Sequence, residues 1–518
     1  MENYEAFDKL AMILLQQVIN NVTDATTQQT IQSLHNIYDE SIDKKNFFAY
    51  LEERYKNENA TALIIILEYL YLVTESETIL EKELEVLEKY AKTEHLDFYY
   101  SLFLKWQNTL RIFVSQEKNL NYIRLRNLHT SLISRYKNLI NFSLEYIPIE
   151  ERNNDQIVIF ITQISGEKHG PTRNLTDYAY TLQKKLGKKV FVVIAYDMPS
   201  RHTFITAYPY INYTEFNYSE ELEGAQSHEC LGETIPFYGT KLQEGNEQDT
   251  LEIIKYVHSL KPGLIYNMGG NNILADICGE FTTEVTLPFS NNFPITDAKY
   301  IILPRNLNAF DSEVQNFIEN KGQEIIESVF VYKLDEAITL RKKEDFGFKE
   351  KNFVISIVGG RLAEEVTGTF VEKLNEYMSK NQDAVVLLVG TYDSFETKKR
   401  QFLHLDRINF IGFQNDLRGV LEAVDVYLNP PRKGGGTSGA EALAQGVPVV
   451  TLPFFDVGYT VGDYFTCEDM DKIFETLHRY YVDKDFYALQ SKRGLEQVEK
   501  ITNTEQVIKD ILKVVLQS

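Results

Sequence analysis

The residues richest in chemistry run from Asn429 to Glu441: Asn429-Pro430-Pro431-Arg432-Lys433-Gly434-Gly435-Gly436-Thr437-Ser438-Gly439-Ala440-Glu441. A strand-like run, Val426–Leu428, precedes them, and a helical pattern follows. Glycines ahead of a helix leave its first N–H groups uncovered, and the positive end of the helix dipole favours an anion there. Thr437 and Ser438 add hydroxyl donors suited to phosphate oxygens, and Glu441, one turn into the helix, has the reach to accept from ribose hydroxyls. Three other readings compete. Gly434-x-Gly436-x-x-Gly439 spells the dinucleotide fingerprint, which belongs in the first βα turn of its domain, close behind the strand. Here Asn429–Lys433 intervene and the motif falls late. A Walker loop needs its lysine after the glycines, whereas Lys433 precedes them. A glycine-rich turn without a ligand is the third, and the reading that remains is a nucleotide-sugar site.

Other candidate groups follow strands. Arg361, behind Phe353–Val358 and Gly359-Gly360, could pair bidentately with a diphosphate and stabilise a leaving nucleotide; a surface arginine is the plain alternative. The loop Thr162–Arg173 joins a strand to a helix and carries His169, whose ordinary pKa suits proton abstraction from a hydroxyl. His202, after the next strand, is the weaker candidate. Thr172 and Arg173 in the same loop could bind an acceptor or a sugar. In Gly269-Gly270-Asn271-Asn272 the amides suit sugar hydroxyls, and helix capping explains Asn271 equally well. The only Asp-x-Asp triplets, at Asp469 and Asp483, stand at expected helix starts, where carboxylates cap ends. No His/Cys cluster has zinc spacing, so no metal is expected.

The elements that must position these groups follow from the glycines. None of the 27 precedes Gly166, and only Pro148 precedes Pro171 among the prolines. Residues 1–150 therefore read as an all-α domain, with apolar residues at helical spacing in Leu63, Ile66, Leu67, Leu70 and in Leu80, Leu84, Leu87, Ala91. From Gln156 the pattern changes to short apolar runs followed by glycine or proline and then a helix. The first set is Ile157–Thr162, Val190–Ala195, Leu264–Asn267, Tyr300–Leu303 and Val329–Tyr332. After the charged stretch Arg341–Asp345 come Phe353–Val358, Ala384–Val389, Ile408–Ile411, Val426–Leu428 and Val447–Leu452. Continuous apolar strands alternating with helices predict parallel sheets covered on both faces. The fold class is thus α/β, with two doubly wound, Rossmann-like domains at 151–340 and 341–518 behind the all-α one. Ligands in such a pair sit at the carboxyl ends of the strands, in the cleft.

Asn429-Pro430, the Gly/Thr/Ser loop and Glu441-Ala442-Leu443-Ala444-Gln445-Gly446-Val447-Pro448-Val449-Val450 together resemble the donor-binding motif of GT-B fold glycosyltransferases. Gly-Thr-Ser-Gly-Ala-Glu is similar to the loop of the O-GlcNAc transferase group, which includes bacterial cytoplasmic protein glycosyltransferases with an all-α domain ahead of the GT-B core. The resemblance covers about residues 156 to 518. It implies that Gly435, Gly436, Thr437, Ser438 and Gly439 hold the diphosphate and Glu441 the ribose. Phe353–Leu362 resembles the strand opening the donor domain, with Gly360 and Arg361 at its end, and Gly412-Phe413 resembles the turn that meets the base. The donor implied is a UDP-sugar, the sugar GlcNAc or glucose, and the acceptor a polypeptide Ser/Thr or Asn side chain, with no cofactor. Two positions depart from the pattern. Gly436 stands where that group has a histidine, and Lys433 where retaining GT-B enzymes have the first of two glutamates. The alternatives are a transferase for a lipid-linked or cell-wall glycan, a nucleotide-sugar epimerase, and a GT-B-like binding subunit or chaperone without catalysis.

Composition bounds these readings. The 518 residues carry 53 Lys+Arg against 75 Asp+Glu, a net charge of −22. Such a field disfavours nucleic acid and anionic membranes as partners. No run approaches the ~20 apolar residues of a membrane span, and no secretory segment opens the chain. Three widely spaced cysteines suit reduced thiols in a cytoplasmic protein.

Overall fold

The computed structural model describes residues 121–516 apart from 163, 165–169, 196–223, 231–232 and 241–245, together with 77–90 and isolated helical positions elsewhere in the first 120. The earliest described helices are α1 (Glu77–Tyr90) and α2 (Tyr122–Leu139). Along α1, Leu84 and Leu87 of the expected apolar set are buried, together with Ile79 and Val86; the side chains of Leu80 and Ala91 lie outside the described ones.

The first sheet contains β1 (Asn153–Ile161), β2 (Lys189–Ile194), β3 (Gly224–Cys230), β4 (Glu233–Gly239), β5 (Pro262–Gly269), β6 (Glu284–Pro288), β7 (Tyr300–Leu303) and β8 (Glu324–Glu327). Its order is β3-β4-β2-β1-β5-β6-β7-β8. All neighbours are parallel except β3, which runs antiparallel to β4. Successive residues of β1 pack on opposite sides: Val158 and Phe160 join one core, Ile157, Ile159 and Ile161 the other. That double burial makes the strand read as one apolar run. Helices α3 (Gly170–Tyr180), α4 (Glu247–Ser259), α5 (Ile273–Gly279) and α6 (Ser312–Asn320) cover the faces.

The strand expected at Val329–Tyr332 is not one. The last strand of the sheet is Glu324–Glu327, and 329–332 is chain crossing to the second unit, where the Tyr332 N–H bonds the Ile501 carbonyl at 2.7 Å. An edge strand is half exposed, so its two glutamates hid it. The apolar Val331 and Tyr332 are buried against the crossing instead.

The second sheet holds β9 (Phe353–Gly359), β10 (Ala384–Gly390), β11 (Ile408–Phe410), β12 (Val426–Leu428) and β13 (Val449–Val450), all parallel, in the order β11-β10-β9-β12-β13. Helices α7 (Gly368–Lys380), α8 (Gly436–Ala444), α9 (Phe455–Val461), α10 (Met470–Val482) and α11 (Lys484–Ile501) belong to this unit. Asp469 and Asp483 accept from the Lys472 and Phe486 N–H groups, capping α10 and α11. The last helix, α12 (Thr504–Val515), returns to the first unit. Its Ile508, Ile511 and Val515 enter the core under β1, and Thr504 Oγ1 bonds Asp177. No helix among the described residues is long and apolar enough to cross a membrane.

Each sheet reverses winding direction once, between β1 and β5 in the first and between β9 and β12 in the second. Crevices open at the carboxyl ends of such strand pairs. The loops singled out in the sequence follow β1, β5, β9 and β12.

Candidate functional site

At the second switch point a buried arginine organises the glycine-rich loop. Arg432 is 8% exposed and donates to Asn429 Oδ1 (2.8 Å), Glu365 Oε2 (3.0 Å) and the Tyr427 hydroxyl (2.6 Å). These contacts tie β12 to the turn behind β9. They also leave no space above the guanidinium, since a Cβ at Gly435 would lie 2.4 Å from Arg432 Nη2. Gly435 caps α8 with φ +102, a backbone that L side chains rarely adopt. Sequence reading passed over Arg432 as one letter of the motif. A basic residue between Pro-Pro and three glycines was the available signal.

The start of α8 faces the crevice. Thr437 is exposed, and Gly434 and Gly435 are half-buried. Ser438 is engaged within the protein: its hydroxyl donates to the Gly435 carbonyl (2.8 Å) and lies 3.0 Å from the Tyr427 hydroxyl. Since the one Ser438 proton goes to the Gly435 carbonyl, the Tyr427 hydroxyl is the donor between the two. The groups that remain for an anion are the first backbone N–H groups of α8 and the Thr437 hydroxyl. Gly436 and Gly439 are buried. A Cβ at Gly436 would meet the Tyr332 hydroxyl at 2.4 Å and Thr460 Oγ1 at 2.9 Å, so the position has no room for a side chain. Gly439 packs on Val457 of α9.

Arg361 stands beside this loop, more than half exposed, with Nη2 3.3 Å from Glu365 Oε1 and 3.8 Å from the Cβ position of Gly434. Glu365 thus holds the buried Arg432 on one oxygen and the exposed Arg361 on the other. Gly360 is exposed next to it. Gly412 turns the chain after β11 with φ +70, its carbonyl accepting from the Gly390 N–H, and leaves Phe413 71% exposed. The strand β11 that leads to this ring lies two strands from β9, which leads to Arg361.

Glu441 sits half-buried one turn into α8. Burial pushes its carboxyl up to about 7, with Arg173 of α3 pulling the other way, Asp335 pushing, Arg418 pulling and Asp416 pushing. Arg173 itself donates to the Lys333 carbonyl (2.5 Å) and pairs with Asp335 (3.1 Å), so it sits against the chain that joins the units. Thr172 is buried in α3. His169 and His202 lie outside the described residues.

The first switch point presents Gly269-Gly270-Asn271, three consecutive residues with positive φ. Gly270 is buried against Pro294, where a Cβ would approach to 2.7 Å. Asn272, fully buried, caps α5 by accepting from the Ala275 N–H (3.0 Å). Capping therefore falls to Asn272, and Asn271, half-buried, is held by its N–H to the Ile295 carbonyl (2.8 Å). Among the described residues no group of three or more His, Cys, Asp or Glu is placed to hold a metal ion.

Residues 353–481 match the family model of glycosyl transferases group 1. A UDP-N-acetylglucosamine–N-acetylmuramyl-(pentapeptide) pyrophosphoryl-undecaprenol N-acetylglucosamine transferase of Caldanaerobacter subterraneus is 26% identical over 153 residues, 28% of this chain. The chain spans 40% of that relative's length. An O-GlcNAc transferase of Thermobaculum terrenum, solved as a point mutant, superposes over 100% of this chain and 98% of its own, with TM-score 0.53 and 10% identity. A glycosyltransferase from Rickettsia africae covers 71% of this chain and 100% of its own, with TM-score 0.48 and 11% identity. The two doubly wound units and the superposition over the whole chain agree with one another: the chain has the GT-B fold, and the match to the group 1 glycosyltransferase model lies within its second unit.

Proposed function

We propose that the protein is a glycosyltransferase that moves a sugar from a nucleoside-diphosphate sugar, a UDP-sugar with GlcNAc or glucose, to a polypeptide Ser/Thr or Asn side chain. The observation that carries this is the convergence on one crevice of the α8 N-terminus, Arg361 and Glu441. The diphosphate rests on the backbone N–H groups of Gly436 and Thr437 and on Arg361, Glu441 accepts from the ribose hydroxyls, and Phe413 meets the base. As the glycosidic bond breaks, negative charge collects on the departing diphosphate, and donors already aimed at it stabilise that charge without a metal. His169, one residue ahead of α3, takes the acceptor proton in this reading, and Asn271 lines the sugar's side of the crevice. The GlcNAc named for both the Caldanaerobacter and the Thermobaculum proteins supports that sugar. A nucleotide-sugar donor and the buried, unbridged thiols of Cys278 and Cys467 suit a cytoplasmic location.

A second acceptor reading, a lipid-linked glycan, is favoured by the lipid-linked substrate in the Caldanaerobacter relative's name. The polypeptide reading rests on the likeness of Gly436-Thr437-Ser438-Gly439-Ala440-Glu441 to the loop of the O-GlcNAc transferase group.

Calorimetric titration with UDP-, GDP- and CMP-sugars tests the donor site. A UDP-sugar is expected to bind, and Glu441→Ala to weaken it at least tenfold. Absence of binding by all three overturns the reading. Binding without release of UDP in the presence of peptide or lipid-linked acceptors identifies a binding subunit instead.

A further inference from the structure

We infer that helix α2 belongs to the frame of the transfer site, with His129 and Arg126 as positioning residues that set the wall around Asn271. They act through the strap Asn291–Asp297, which follows β6. His129 is fully buried, and its Nε2 donates to Asp276 Oδ2 at 2.7 Å, since a carboxylate only accepts. Asp276 Oδ1 in turn accepts from Thr296 Oγ1 (2.7 Å) and the Asp297 N–H (2.6 Å). Arg126, 3% exposed, pairs with Asp297 at 2.6 Å, and the Tyr122 hydroxyl donates to the Pro294 carbonyl at 3.0 Å. Helix α2 therefore grips the strap directly at Pro294 and Asp297, and through Asp276 of α5 at Thr296 and the Asp297 N–H.

The strap passes this setting on to the crevice. Its Ile295 carbonyl accepts the Asn271 N–H at 2.8 Å, and Pro294 fills the space over Gly270. At its other end Asn291 Nδ2 donates to Asp456 Oδ1 (3.0 Å) of α9, whose N–H bonds the Lys433 carbonyl (3.2 Å) beside the glycine-rich loop. The strap is thus pinned to α2, to the first switch point and to the second unit. A largely buried hydrogen-bonded network is expensive to break and has few alternative arrangements, so it suits a part that must hold one geometry.

The kinetic part of the test rests on the transferase reading above; the exchange part does not. In His129→Ala the Asn271 amide is expected to exchange with deuterium at least tenfold faster. Under saturating UDP-GlcNAc, kcat for sugar transfer falls about tenfold, while donor KM and UDP Kd stay within twofold because α8 is untouched. His129→Gln, which returns a donor near the Nε2 position, restores both. Thr296→Val, isosteric and lacking only the hydroxyl, is expected to act in the same direction and serves where His129→Ala does not fold. Unchanged Asn271 exchange in a folded variant overturns the proposal, as does failure of His129→Gln to restore kcat where the alanine variant has lost it. Failure of the wild type to bind UDP would instead count against the donor site and leave the exchange result to decide on the strap.

Discussion

At the second switch point the groups proposed to hold a diphosphate come from two short stretches, Gly359–Glu365 and Tyr427–Glu441, locked together by Arg432. At the first, the wall around Asn271 is assembled from β5, the strap after β6, and α2, more than a hundred residues earlier in the chain. One side of the crevice is a local motif on a buried scaffold. The other is a tertiary assembly whose parts look ordinary one at a time. A donor common to many enzymes can be held by the first kind, whereas acceptor geometry particular to one enzyme can be set by the second.

The largest expected effect tests the local side. Arg432→Met strips three partners and leaves the Glu365 carboxylate buried with only Arg361 beside it. Breaking a buried ionic pair costs about 3–5 kcal/mol, so denaturant unfolding is expected to shift by that order and UDP binding to be lost with it. Stability within 1 kcal/mol of wild type would mean that the loop does not depend on its scaffold.

Next in size is Arg361→Ala. Loss of one preorganised donor to developing charge lowers kcat about 10²–10³-fold. Because Glu365 also binds Arg432, folding should be little affected. A single-turnover rate unchanged by the substitution would remove Arg361 from the chemistry.

The third prediction concerns the residue where the two sides meet. Glu441 has its carboxyl raised to about 7 by burial. Only the carboxylate accepts from both ribose hydroxyls, so UDP affinity should rise between pH 6 and 8, and Glu441→Gln should bind more weakly with a flatter profile. For stability the sign is opposite. The folded protein holds this proton between about pH 4.5 and 7 while the unfolded chain releases it, so its contribution falls as pH rises through that window. Glu441→Gln should therefore unfold later than wild type at pH 8 and at the same point near pH 4. A pH-independent difference would contradict a raised carboxyl.

The smallest effect is that of Arg173→Ala. Arg173 pulls the Glu441 carboxyl down across the crevice. Its removal should move the midpoint of the UDP-affinity profile to higher pH with little change in the alkaline limit. An unmoved midpoint would mean that the first unit does not act on the donor site electrostatically.

Much of the fold was legible because its signals are local. Double burial makes Phe353–Val358 and Ala384–Val389 continuous apolar runs, and glycine marks the turns behind them. The antiparallel pair Gly224–Cys230 and Glu233–Gly239 was not legible. The edge strand β3 carries Gln226, His228 and Glu229, and β4 beside it alternates buried Ile235 and Phe237 with exposed Thr234 and Pro236. Nor was β6, which begins with the buried Glu284, a residue made tolerable there by Asn267 of the neighbouring strand at 2.9 Å. In the site, Arg361 follows β9 and the exposed Thr437 lies in the first turn of α8. Ser438 differs, because its hydroxyl is taken by Tyr427 and Gly435, and Asn272 rather than Asn271 caps α5.

The amino-acid order alone determined that two doubly wound units follow a helical region, and that a helix N-terminus with glycines before it and a glutamate one turn in would face the crevice. Those properties depend on side-chain period, turn chemistry and helix polarity, all of which act over a few residues. Only the tertiary structure decided that Gly436 has no room for a side chain, that Glu365 divides one carboxylate between a buried and an exposed arginine, and that α2 reaches Asn271 through the strap. Each of these is a contact between segments far apart in the chain, set by packing that no single segment encodes.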